Sequence, residues 1–175
     1  MVATIAAIAA NEVTVIQSYH ETISLIERLH RHFLEVVKVE LDRLGMADVN
    51  NVQTLILYNI GKEELTVGEL TNRGYYLGSN VSYNVKKMVE HGYLEHERSA
   101  HDRRSIRVRL SAKGLELYDK MNVMFERHVA ALAESPIDEE TLQGATKSLR
   151  ELERFWTNLL TYGVRDHADV GASAA

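Results

Sequence analysis

The 175-residue chain has no cysteine and a single proline. Without cysteine it forms no disulfide, no zinc-thiolate centre and no thiol-based redox sensor. One proline suits a mostly helical chain with few rigid turns. No apolar run approaches the ~20 residues of a membrane span, so no membrane partner is expected. The opening MVATIAAIAANEVTVIQS is apolar but carries no Lys or Arg, so no secretory signal is expected. No nucleophile motif, phosphate-gripping glycine loop or acid pair in a catalytic setting stands out. No catalytic residue and no cofactor are therefore assigned. Glu63–Glu64 and Glu139–Glu140 read as solvated charge and helix-start acids. The eight histidines form no H-x-x-x-H or H-E-x-x-H pattern. No metal ligand is assigned, although a site assembled in three dimensions leaves a metal-responsive protein as one alternative.

Charge is unevenly placed. The chain is acidic overall, at −5. From Arg73 to Lys113, however, nine basic residues face four acidic ones, a net of +5 that leaves −10 for the remainder. Apolar spacing in that window is ordered. Thr66 and Glu69 make a T-x-x-E capping box, which starts a short helix at Val67. It fades at Asn72–Arg73–Gly74. After a turn of Tyr75, Tyr76 and Leu77, a second helix opens at Gly78 or Ser79 and ends at Gly92. Val81, Val85, Met88 and Val89 fall on one stripe. The other face carries Ser79, Asn80, Ser82, Tyr83, Asn84, Lys86 and Lys87, with no acid before Glu90. Leu94–Arg98 alternates as a strand. Ile106, Val108 and Leu110 alternate with Arg107 and Arg109 as a second strand. Between them lies a tip holding His101, Asp102, Arg103 and Arg104.

Helix, turn, helix and basic hairpin read as a winged helix-turn-helix. The second helix is sized for a major groove, and the hairpin can reach backbone or minor groove. The candidate DNA contacts are Ser79, Asn80, Ser82, Tyr83, Asn84, Lys86, Lys87, Arg103, Arg104 and Arg107. Asn bonds adenine bidentately, whereas a compact ammonium serves phosphate better than a base. The remaining alternative is a winged-helix module that binds protein and has no DNA role.

At these residues the chain resembles the MarR family of bacterial transcription regulators. Asp102 to Gly114, DRRSIRVRLSAKG, is similar to the family's D-x-R wing signature, followed by a strand, Leu-Thr and a helix-opening Gly. Here Ser111 stands where Thr is commoner. The likeness at motif level covers about Val81 to Gly114, and in architecture roughly Ser18 to Tyr162. The resemblance implies that Asp102 braces the wing while the following Arg enters the minor groove. With Arg103 and Arg104 adjoining, both remain candidates. It also implies a homodimer, a pseudo-palindromic operator, repression relieved by a small molecule and a cytoplasmic location. A pocket for an aromatic or amphipathic effector would then involve Phe33, Tyr58, Tyr118, Met121 and Phe125.

The flanking segments are helical. Ser18 is expected to cap a helix of about 27 residues whose apolar positions include Tyr19, Ile23, Ile26, Phe33, Val37, Leu41 and Leu44, with Gly45 ending it. Residues 1–15 read either as an arm or as an extra helix on a partner. Val52 to Ile60 reads as a buried helix ended by Gly61. Ser111 opens another long helix, and Ser135-Pro136 breaks it. Asp138 caps a last one bearing Leu142, Leu149, Trp156 and Leu160. The expected class is thus mainly α with a small β-hairpin. Its segments are an arm (1–15), dimerisation helices (16–45 and 111–163), a DNA-binding lobe (46–110) and a tail (164–175).

Overall fold

The computed structural model describes residues 2–72, 78–98 and 106–163. Six helices and three strands follow in the order α1 (Val2–Arg43), α2 (Asn51–Ile60), β1 (Leu65–Thr66), α3 (Val67–Asn72), α4 (Gly78–Glu90), β2 (Leu94–Arg98), β3 (Ile106–Leu110), α5 (Ala112–Leu132) and α6 (Glu139–Tyr162). The chain divides into two compact units, Met1–Met124 and Phe125–Ala175.

Helix α1 is one uninterrupted helix of 42 residues, about 63 Å long at 1.5 Å per residue. The expected start at Ser18 is therefore corrected. Ser18 lies inside the helix, and its carbonyl accepts the Thr22 hydroxyl at 2.7 Å. The span has neither glycine nor proline, and its Ala-rich opening favours helix at every turn. A serine that would suit a cap is thus carried through. The helix stops where the glycine foretold it: Gly45 has φ +67°, a conformation that residues with a Cβ disfavour.

Asn50 begins α2 with a reciprocal cap. Its side chain accepts from the Gln53 amide at 2.8 Å, and Gln53 Oε1 accepts from the Asn50 amide at 3.0 Å. Asn51 Nδ2 donates to the Leu34 carbonyl at 2.9 Å, tying α2 to α1. Thr66 and Glu69 form the expected box, with the Thr66 amide 2.6 Å from Glu69 Oε2 and the Glu69 amide 3.0 Å from Thr66 Oγ1.

The expected two-stranded hairpin is part of a three-stranded antiparallel sheet of order β1-β3-β2. Glu97 pairs with Arg107, Glu95 with Arg109, and Leu65 with Val108. Two residues are too few for an alternation to register, so β1 left no pattern in the sequence. The core of this unit is built from Val37, Leu41, Ile56, Leu57, Leu70, Val81, Met88, Tyr93, Val108, Leu117 and Met121, all buried.

In the second unit, Asp138 caps α6 by accepting from the Thr141 amide at 2.8 Å. None of the side chains of α6 is buried.

Candidate nucleic-acid interface

Helix α4 sorts its residues by face. Val81, Val85 and Met88 are buried, at steps of four and three. Asn80, Ser82, Tyr83 and Lys86 are exposed. Tyr83 is 62% exposed, in the middle of the outer ridge. Lys86 follows one turn on, with its side chain 76% exposed. The backbone of Ser79 lies in the first turn, and its side chain falls outside the described residues.

Two of the expected contacts are placed otherwise. Asn84 is only 9% exposed, and its amide donates to the Asn80 carbonyl at 2.9 Å. Its steps of three from Val81 and four to Met88 set it on the inner stripe, so it does not belong to the outer face. Composition alone had put it there, because Asn is usually wet. Lys87 is half-buried and donates to Glu90 at 2.7 Å. Ser82 is exposed but turns toward the wing. With Thr66, Val67, Gly68, Val85, Lys86, Val89, Glu90, His96 and Ile106 it lines a cleft of about 800 Å³.

Arg107 and Arg109 share one face of β3. Arg107 lies 3.9 Å from Glu64, and Arg109 lies 2.8 Å from Glu95. This face is balanced by acids on both sides. The wing tip, with Asp102, Arg103 and Arg104, lies outside the described residues.

The base of the wing is held by a cluster that sequence reading missed. Asp48, in the α1–α2 connection, accepts from the Tyr93 hydroxyl at 2.7 Å and from Lys113 at 2.6 Å. Lys113 also donates to the His91 carbonyl at 3.0 Å and sits 4.0 Å from the centre of the Tyr93 ring. His91 Nδ1 lies 2.5 Å from the Asp48 carbonyl oxygen. Hydrogen bonding from Lys113, then from Tyr93, holds the Asp48 carboxyl below the usual carboxylate range. Burial, reinforced by Asp48, pushes the Tyr93 phenol well above its ordinary range. The four residues come from three separate segments, with His91 and Tyr93 together in the α4–β2 connection, so no single local spacing announced them. Beside them, the Ser111 amide donates to the Tyr93 carbonyl at 3.1 Å, and the Gly114 amide donates to Ser111 Oγ at 3.0 Å. The start of α5 is thereby seated on the end of the helix-turn-helix.

The residues expected around an effector are largely packed. Met121 is fully buried. Tyr58 and Tyr118 stack with ring centres 5.0 Å apart, and the Tyr58 hydroxyl donates to Asn122 at 3.0 Å. Phe33 is half-buried on α1. Phe125 belongs to the second unit, where it meets His128 edge-on at 6.2 Å. No group of three or more His, Cys, Asp or Glu suited to a metal ion occurs among the described residues.

A short capped helix, a groove-sized helix with a polar outer ridge, and a three-stranded wing define a winged helix-turn-helix protein. Comparison with known proteins gives its kin. The MarR family model matches residues 47–105. The exopolysaccharide II synthesis transcriptional activator ExpG of Rhizobium meliloti is 37% identical over 147 residues, covering 84% of this chain and 76% of that protein. The chain belongs to the MarR family of transcription regulators. Among solved structures, Streptococcus pneumoniae FabT in complex with DNA superposes with a TM-score of 0.63 at 20% identity, covering 81% of this chain and 99% of that one. Staphylococcus aureus MarR in complex with salicylate and kanamycin gives a TM-score of 0.66 at 20% identity, covering 80% and 93%.

Proposed function

We propose that this regulator binds duplex DNA in a sequence-specific manner as a homodimer on a pseudo-palindromic operator. The observation that carries the reading is the outer ridge of α4. It presents Asn80, Tyr83 and Lys86 to solvent while the opposite stripe is buried. Asn80 reads a base edge, Tyr83 meets a base or a phosphate, and Lys86 meets phosphate. Arg103 or Arg104, braced by Asp102, enters the minor groove, where narrow A-tracts concentrate negative potential. Arg107 plays a smaller part than the sequence suggested, because Glu64 faces it.

Dimerisation is assigned to α1, α5 and α6. Leu25, Leu29, Val36 and Val39 of α1 are exposed, as are Leu142, Leu149, Phe155 and Leu160 of α6. Apolar stripes of this extent call for a partner helix. A two-fold dimer sets its recognition helices about 34–36 Å apart, one turn of DNA. Such a regulator works where the DNA is, in the cytoplasm. The direction of regulation is read from the relative named an activator, which favours activation over the repression expected at first.

For an effector, the cleft between α4 and the wing fits better than the packed aromatic cluster. Its volume of about 800 Å³ falls in the usual range for small-molecule sites, about 300–1,000 Å³. Val67, Val85, Val89 and Ile106 give it an apolar wall, with Thr66, Ser82, Lys86, Glu90 and His96 as polar groups. The S. aureus relative was solved with salicylate, an aromatic acid of suitable size.

The deciding experiment is selection of bound sequences from random duplex DNA at two salt concentrations. The expected outcome is an inverted repeat with half-sites one helical turn apart and retention that falls steeply with salt. Failure to retain any duplex in dilute buffer would leave the protein-binding alternative.

A further inference from the structure

We propose that Glu90 is a specificity-determining residue, an internal counterion on the DNA-facing ridge of α4 that limits sequence-independent attraction to phosphate. The proposal rests on the reading of α4 as the DNA-contacting helix. Tyr83, Lys86 and Glu90 follow one another at steps of three and four, so they share one ridge. Glu90 is the last residue of α4 and is exposed. One of its oxygens lies 2.7 Å from Lys87 Nζ and the other 4.0 Å from Lys86 Nζ. A single carboxylate thus faces both lysines of the recognition helix. The hydrogen bond from Lys87 lowers its pKa, so it stays ionised at neutral pH.

A stabilising role for this triad is disfavoured by its polarity. Helix pairs stabilise best with the acid N-terminal to the base, and an acid in the last turn opposes the helix dipole. Here the lysines come first and the acid closes the helix. The arrangement therefore has the wrong order for helix stability, but it places a negative charge where the helix leaves the groove beside the phosphates. Binding without sequence preference is almost wholly electrostatic, so this charge acts on it in full. On an operator, Tyr83 and Asn80 hold the helix about two and three turns before Glu90, and less depends on the lysines.

The test compares wild type, Glu90→Gln and Glu90→Asp by fluorescence anisotropy on a scrambled duplex and on the selected operator, across a salt series. Removing one ridge anion should steepen the salt dependence on the scrambled duplex by about 0.9 in log–log slope, about eightfold in affinity per decade of salt. Operator affinity should change less, so discrimination falls. Glu90→Asp should keep the wild-type slope, and the melting temperature of Glu90→Gln should not drop. Scrambled-duplex titrations of Glu90→Gln that superimpose on wild type would overturn the proposal, as would Glu90→Asp behaving like Glu90→Gln. A wild type indifferent to duplex at every salt would overturn the reading of α4 and this inference with it.

Discussion

Asp48 shows how much rests on one side chain that looks ordinary in the sequence. It receives Tyr93 and Lys113 together and so joins the α1–α2 connection to the base of the wing and the start of α5. Its folded pKa lies below the unfolded value of about 3.9. The resulting stability is present above that value and is lost as pH falls through the folded pKa. Melting temperatures measured from pH 6 to pH 2.5 should therefore fall further for wild type than for Asp48→Asn, and parallel curves would deny Asp48 this role. Tyr93 has the opposite sign. Its raised pKa makes its contribution full below about pH 10, with loss as pH rises further. None of this was legible beforehand, because the partners are 45 and 65 residues distant in the chain. Asn84 failed for a different reason. The period that marks Val81, Val85 and Met88 includes it, but its polarity argued for the outside, and an amide bonded within its own helix tolerates burial.

Among the elements, most boundaries could be read because glycine and capping residues mark them. Gly45, Gly61 and Gly92 all take positive φ at helix ends. The Thr66 and Asp138 caps stand where the sequence put them. Both wing strands fall on the expected residues, Leu94–Arg98 and Ile106–Leu110, although Ile106 lies exposed at the start of β3. What escaped was β1, too short for a period, and the continuity of α1, where a residue with two roles was read in the wrong one. Gly114 tests the seat of α5 directly. A Cβ at that position would overlap the Tyr93 carbonyl oxygen and crowd Leu110. Gly114→Ala, usually favourable within a helix, is here expected to destabilise by about 1–3 kcal/mol, as overpacked sites do. Urea titration would measure it, and a gain in stability would contradict the close approach.

For the whole molecule, the proposed self-association would give the exposed stripes of the long helices their cover. Helix α6 has no buried side chain, and Leu160 is 89% exposed. A dimer melts at a temperature that rises with protein concentration, since dissociation accompanies unfolding. Wild type is expected to show that rise across a hundredfold dilution series in calorimetry. Leu149→Glu should remove the concentration dependence and lower the melting temperature. Concentration-independent melting of wild type would assign the exposed stripes to something other than a second copy.

The seat of α5 has one more consequence. The Ser111 amide is bonded to the Tyr93 carbonyl, so the polypeptide enters the wing and leaves it at one pinned point. Among the described residues between, β3 also pairs with Leu65 and Thr66 of β1, and Leu94, Val108 and Leu110 reach into the core. With its neck pinned and its strands anchored, a chimera that changes only the residues between β2 and β3 is expected to leave α4 on its mount, so that any change in DNA preference would report on the proposed minor-groove contact alone.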